Sequence, residues 1–184
     1  MKISKVVILH GTDGTPEGIW IPWLKSALEK KGVSVWAPLL PGNSRPDIKK
    51  YNDYILNNRP WKFDEATLIV GHSSGSVETL GLLEELPFTE KIKQAILVAT
   101  FEGDLGWPEL SSLNIQFDFN KIKKQSYQFV VIHSDDDPYC PLEGAKSISK
   151  KLNAEFVLIK NKQHFSGDMD EFPELLKIIE REEK

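Results

Sequence analysis

What most constrains this chain is a series of six short apolar runs, rich in β-branched residues and mostly separated by helical patterns. The runs are KVVILHG, VSVWAP, ATLIVG, QAILVAT, QFVVIHS and EFVLIK. Strands this uniformly apolar are buried on both faces, and their alternation with helices implies a parallel sheet covered by helices on each side. Helical patterns are predicted over residues 22–31, stopped by Gly32, over 47–56, with Ile48, Tyr51 and Ile55 on one face, and over 74–86. A last helix is predicted over Pro173–Arg181, where proline suits the first helical position.

With 184 residues the chain is expected to form one domain, 1–184, because a single core serves chains up to about 250 residues. Order is expected throughout except in the closing EREEK. A net charge of −4 offers no electrostatic footprint for nucleic acid or an anionic membrane, so neither is expected as a partner. The single cysteine, Cys140, has no intrachain partner, and the apolar run at the N-terminus is too short for a secretory signal or a membrane span. Cytoplasmic residence follows as the expectation.

In a parallel sheet of this kind, functional groups gather on loops at the carboxyl ends of the strands. One such loop reads GHSSG, a G-x-S-x-G pattern centred on Ser73 with Gly71 and Gly75 on either side. A serine hydroxyl needs a base to take its proton and a third group to orient that base. His164 lies in the loop after the last strand, and Asp135, Asp136 and Asp137 lie in the loop after the fifth. The chain order Ser, Asp, His is that of an α/β-hydrolase, though spacing leaves open which aspartate serves. The backbone N–H groups of Ser74 and of Thr12, in the loop HGTDG, are the candidates to hold a developing oxyanion, with Thr12 favoured over Asp13. The bland alternative makes GHSSG a simple turn with a serine N-cap. His10, His72 and His133 read as structural.

The stretches HGTDGTPEGIWIPWL, GHSSGS, SDDDPYCP and QHFSG resemble the small, cap-less α/β-hydrolases represented by retinoblastoma-binding protein 9 and its bacterial YdeN-like relatives. The resemblance spans nearly the whole chain. It implies that the acid is the aspartate immediately before proline, Asp137, and that the base is the histidine before phenylalanine, His164. It implies a serine hydrolase with a six-stranded, mainly parallel sheet in the order 2-1-3-4-5-6 and no cap domain.

The segment between Ser73 and Asp137 is too short to hold a large cap, so an open, shallow pocket is expected. Trp20, Trp107, Phe117, Tyr139 and Phe165 are the candidates to line it, with Trp107 and Phe117 as an apolar wall for an acyl group. The expected substrate is a small carboxylic ester, with thioesters and amides open to the same machinery. No cofactor is expected. No metal is expected either, because no C-x-x-C or H-x-x-x-H spacing is present. Two other classes compete. A hydrolase fold kept for protein interaction would turn over little substrate, and a nucleotide-binding domain would require a phosphate loop that HGTDGTPEG does not match.

Overall fold

The structure is a computed structural model, and residues 2–181 are described. Its elements in chain order are β1 (Lys5–Leu9), α1 (Ile21–Glu29), β2 (Ser34–Trp36), α2 (Ile48–Asn58), β3 (Thr67–His72), α3 (Ser74–Glu85) and β4 (Ile92–Val98). There follow α4 (Phe119–Ile122), β5 (Ser126–Ser134), α5 (Leu142–Leu152), β6 (Glu155–Ile159) and α6 (Pro173–Arg181). The six strands form one parallel sheet in the order β2-β1-β3-β4-β5-β6, as expected.

Strand alternation explains the two layers of helices. Val6, Ile8, Leu68, Val70, Ile96, Val98, Val130 and Ile132 point to one face and meet Leu24 and Leu28 of α1 and Leu175, Ile178 and Ile179 of α6. Val7, Leu9, Ile69, Ala95, Leu97, Phe129 and Val131 point to the other and meet α2, α3, α4 and α5. Each aliphatic side chain removed from water contributes about 1.5–3 kcal/mol, so these two faces supply the main drive for folding.

Helix α3 is buried over residues 74–83 and lies close against its neighbours. A Cβ on Gly75 would stand 2.5 Å from the carbonyl oxygen of His10, and one on Gly81 would run into Ile48. Glycine at these two positions lets α3 touch the end of β1 and cross α2 at short range.

One departure from the sequence reading concerns a helix. No bounds were predicted for a helix between β5 and β6, yet α5 fills that interval. Only Ala145, Ile148 and Leu152 of its apolar residues face the core, a narrow stripe in a lysine- and serine-rich segment. Between β4 and β5 the chain makes a 3₁₀ turn over Pro108–Leu113 and only a single α-turn at α4. Of the EREEK segment, Glu180 and Arg181 complete α6, while residues 182–184 lie outside the described residues. Among the described residues no helix is long and apolar enough to cross a membrane.

Candidate active site

β3 ends at His72 and α3 begins at Ser74, so Ser73 alone makes the turn from strand to helix. Its backbone lies at φ 55°, ψ −122°, a region that costs a non-glycine residue about 1–3 kcal/mol. The strain is held by neighbours. The Ser73 N–H donates to the carbonyl of Val98 at 2.9 Å, and the Ser73 carbonyl accepts from the N–H and the hydroxyl of Ser76. Gly71 and Gly75 are required for clearance: a Cβ on Gly71 would lie 2.5 Å from Thr79 Oγ1 and 2.6 Å from the Cα of Ser76. The turn leaves the Ser73 side chain partly exposed between buried neighbours, and its hydroxyl makes no capping hydrogen bond. It is therefore not spent as an N-cap.

The three aspartates after β5 are fastened in three ways. Asp135 accepts from the N–H of Asn161, and Asp136 accepts from the N–H of Gln163 and the hydroxyl of Ser134. Both pin the backbone of the loop that carries His164. Asp137 alone meets the imidazole: His164 Nδ1–H donates to Asp137 Oδ2 at 2.8 Å, and the Asp137 side chain is only 1 % exposed. Its other oxygen, Oδ1, accepts from the N–H groups of Tyr139 and Cys140, each at 2.9 Å. Burial opposes ionisation of Asp137, but the His164 hydrogen bond and the two N–H groups outweigh it and hold the carboxyl below its usual range.

The other three histidines are structural. His10 accepts from the N–H of Leu40 at Nε2 and donates from Nδ1 to the carbonyl of Gly11, which tethers the loop after β1. His72 donates from Nε2 to the carbonyl of His164 at 2.8 Å, and burial pushes its pKa down to about 3, so it stays neutral. His133 donates from Nε2 to the carbonyl of Cys140 and so fastens the loop of Asp137. Each ties down one of the loops that meet at the cleft.

Thr12 and Ser74, the two residues expected to supply N–H donors, are brought together: Thr12 Oγ1 donates to Ser74 Oγ at 3.0 Å. The N–H of Asp13 is taken by the carbonyl of Asn43, whereas those of Thr12 and Ser74 donate to no protein acceptor among the described residues.

Ser73, His164, Thr12, Trp107 and Tyr139 all line one cleft of about 380 Å³, whose apolar wall also includes Ile19, Phe101, Leu105 and Leu110. The Tyr139 ring stands edge-on to both Trp107 and His164, with centroids 5.7 and 5.1 Å apart. Three aromatic assignments from the sequence need correction. Trp20 and Phe165 are fully buried and do not line the cleft. Beneath it Phe165 stacks on Phe172 and Trp20 meets Phe172 edge-on, and the Trp20 indole N–H donates to the Phe165 carbonyl, so they brace the His164 loop from behind. Phe117 packs on Phe119 beside a different cavity, next to Lys151. Ile19, Leu105 and Leu110 carry no sequence signal for a pocket, because loop residues announce no periodicity. Ile19 has a left-handed backbone, φ 47°, which is rare for a β-branched residue and aims it at the cleft. A second cavity, about 440 Å³, opens at the amino ends of β4 and β5 among glutamines and lysine, with none of the candidate residues in its lining.

The family model described as Serine hydrolase matches residues 6–180. The putative hydrolase YdeN of Bacillus subtilis (strain 168) is 29% identical over 169 residues, covering 90% of this chain and 87% of its own. The serine hydrolase RBBP9 of Rattus norvegicus is 26% identical over 183 residues, covering 96% and 94%. The crystal structure of the B. subtilis ydeN gene product superposes with a TM-score of 0.89 over 98% of each chain, at 27% sequence identity. The sheet order, the strained turn at Ser73 and these similarities agree: the chain has the α/β-hydrolase fold and belongs to the serine hydrolase family.

Proposed function

We propose that the protein hydrolyses small carboxylic esters, with Ser73 as nucleophile, His164 as general base and Asp137 as the acid that orients it. The observation that carries this reading is the 2.8 Å bond from His164 Nδ1 to Asp137 Oδ2, in the cleft that Ser73 enters from its strained turn. With its Nδ1 proton committed to Asp137, His164 presents the Nε2 lone pair as the proton acceptor. Ser73 Oγ attacks the carbonyl carbon as His164 takes its proton, and Asp137 stabilises the imidazolium. The oxyanion of the tetrahedral intermediate is held by the N–H groups of Thr12 and Ser74, the latter at the positive end of α3. The intermediate collapses, the alcohol leaves with the proton from His164, and water repeats the sequence on the acyl-enzyme.

The wall of the cleft favours an apolar acyl group. Its charged side chains are carboxylates, Asp13 and Glu109, and no lysine or arginine is among its lining residues. Neutral acyl chains therefore suit the site, and anionic ones are repelled. Thioesters and amides fit the same steps, but an open cleft without a cap offers few remote contacts to drive a difficult reaction, which favours activated esters.

The kinetic test is p-nitrophenyl acetate turnover by wild type, Ser73→Ala and His164→Ala. Loss of kcat by at least about a thousandfold in each variant supports the triad. Equal turnover in all three would overturn it. A second reading is a hydrolase-fold interaction module. It draws on the two aromatics at the cleft mouth, Trp107 and Tyr139, which are 43% and 50% exposed. It predicts negligible turnover by wild type itself.

A further inference from the structure

We propose that Asp137, Cys140 and His164 form a binding site for a thiophilic divalent cation such as Zn²⁺ or Cd²⁺, and that its occupation switches the cleft off. One donor atom from each of the three side chains lies within 4.8 Å of the others. Together they offer a carboxylate, a thiol and an imidazole, the ligand types that zinc takes. Metal–ligand lengths of about 2.0–2.3 Å put the donors of a tetrahedral site roughly 3.3–3.8 Å apart, so a side-chain shift on the order of 1 Å closes the set. Cys140 and His164 both border the cleft, where a fourth ligand, water or chloride, has room.

The backbone already holds the donors together. Asp137 Oδ1 is fixed by the N–H of Cys140 itself, so carboxylate and thiol come from one turn. His133 and His72 anchor the carbonyls of Cys140 and His164. The Cys140 thiol binds a cation as the thiolate. Binding then replaces the S–H bond by a metal–sulfur bond and releases one proton to solvent, which makes the affinity rise with pH.

The consequence for the cleft rests on the triad reading above, whereas binding does not. A cation on His164 Nε2 occupies the lone pair that would accept the Ser73 proton. A cation on Nδ1 displaces the Asp137 hydrogen bond and leaves the ring proton on Nε2. Either way His164 cannot act as the base. A hard cation such as Mg²⁺ has no affinity for the thiol and is expected to leave turnover unchanged.

Cys140 is the only cysteine in the chain, so a cadmium–thiolate absorption band reports on this site alone. The test titrates wild type, Cys140→Ala and Cys140→Ser with Cd²⁺, following ultraviolet absorption and p-nitrophenyl acetate turnover relative to each protein's own metal-free rate. Wild type is expected to gain the band at one equivalent and to lose turnover reversibly with EDTA. Both variants are expected to lack the band and to need at least about tenfold more Cd²⁺ for half inhibition. Absence of the band in wild type overturns the site. Inhibition of Cys140→Ala at the wild-type concentration, or a band without loss of turnover, overturns the switch. If the band appears but a fluorophosphonate leaves Ser73 unlabelled, the triad reading falls and the cation site stands.

Discussion

Three consecutive aspartates with nearly identical sequence surroundings carry out different tasks, and the difference lies in which groups each meets. Asp137 is predicted to be the one whose charge matters to the chemistry. Asp137→Asn should lower kcat by roughly 10³–10⁴-fold with little change in KM, because the amide no longer selects the Nδ1–H tautomer of His164. Asp135→Asn and Asp136→Asn should leave kcat within about tenfold, since each accepts only from a backbone N–H or a serine hydroxyl, a bond worth about 1–3 kcal/mol in stability. Steady-state kinetics on the three variants checks the contrast. The sequence alone could not rank these residues, because hydrogen bonds to Asn161, Gln163 and His164 depend on how a distant loop folds back. The resemblance to a family pattern singles out Asp137, and of the three it is the one that accepts from His164.

Among the elements, α3 combines close packing behind the Ser73 turn with a buried carboxyl, Glu78. Glu78 sits in the buried stretch of α3 with 0% exposure, and neither carboxyl oxygen has a hydrogen-bond partner among the described residues. Burial, reinforced by the charges of Glu85 and Asp47, raises its pKa well above the ordinary value. The sign follows from linkage: below the unfolded pKa the carboxyl is protonated in both states and costs nothing in charge. As pH rises toward the folded pKa the unfolded chain ionises first, and stability falls. Glu78→Gln removes that dependence. Thermal unfolding should show the variant gaining on wild type from pH 5 to pH 8, and an unchanged gap would contradict the account. Gly71→Ala probes the contact between the end of β3 and the first turns of the same helix. With no space for a Cβ, the turn must open, and the expected cost is about 1–3 kcal/mol together with a loss of turnover. Denaturant unfolding checks the first and ester hydrolysis the second. Where α3 could be read from leucines and valine spaced along a helix, α5 could not, because its stripe of Ala145, Ile148 and Leu152 is interrupted by lysines and serines.

For the whole molecule, the legible part was what repeats. Six apolar runs specify a parallel sheet, and the sheet gathers the Ser73, Asp137 and His164 loops at one edge whatever the details of each loop. The pocket wall was less legible. Trp20 and Phe165 look like pocket aromatics from their place in the chain, yet both turn under the cleft, where the interior takes their full area out of water. The charge of the cleft is also a property of the assembled molecule, since Asp13 follows β1 and Glu109 follows β4. p-Nitrophenyl butyrate should be preferred over the p-nitrophenyl monoester of succinate by about five- to tenfold at low salt, from roughly 1 kcal/mol of repulsion between exposed charges. High salt and Glu109→Gln should both narrow the ratio.

Acyl-enzyme formation on Ser73 is read by intact-mass spectrometry after treatment with a fluorophosphonate. Wild type is predicted to gain one adduct, mapped to Ser73, and Ser73→Ala to gain none. An unlabelled wild type, or equal labelling of Ser73→Ala, would contradict the account.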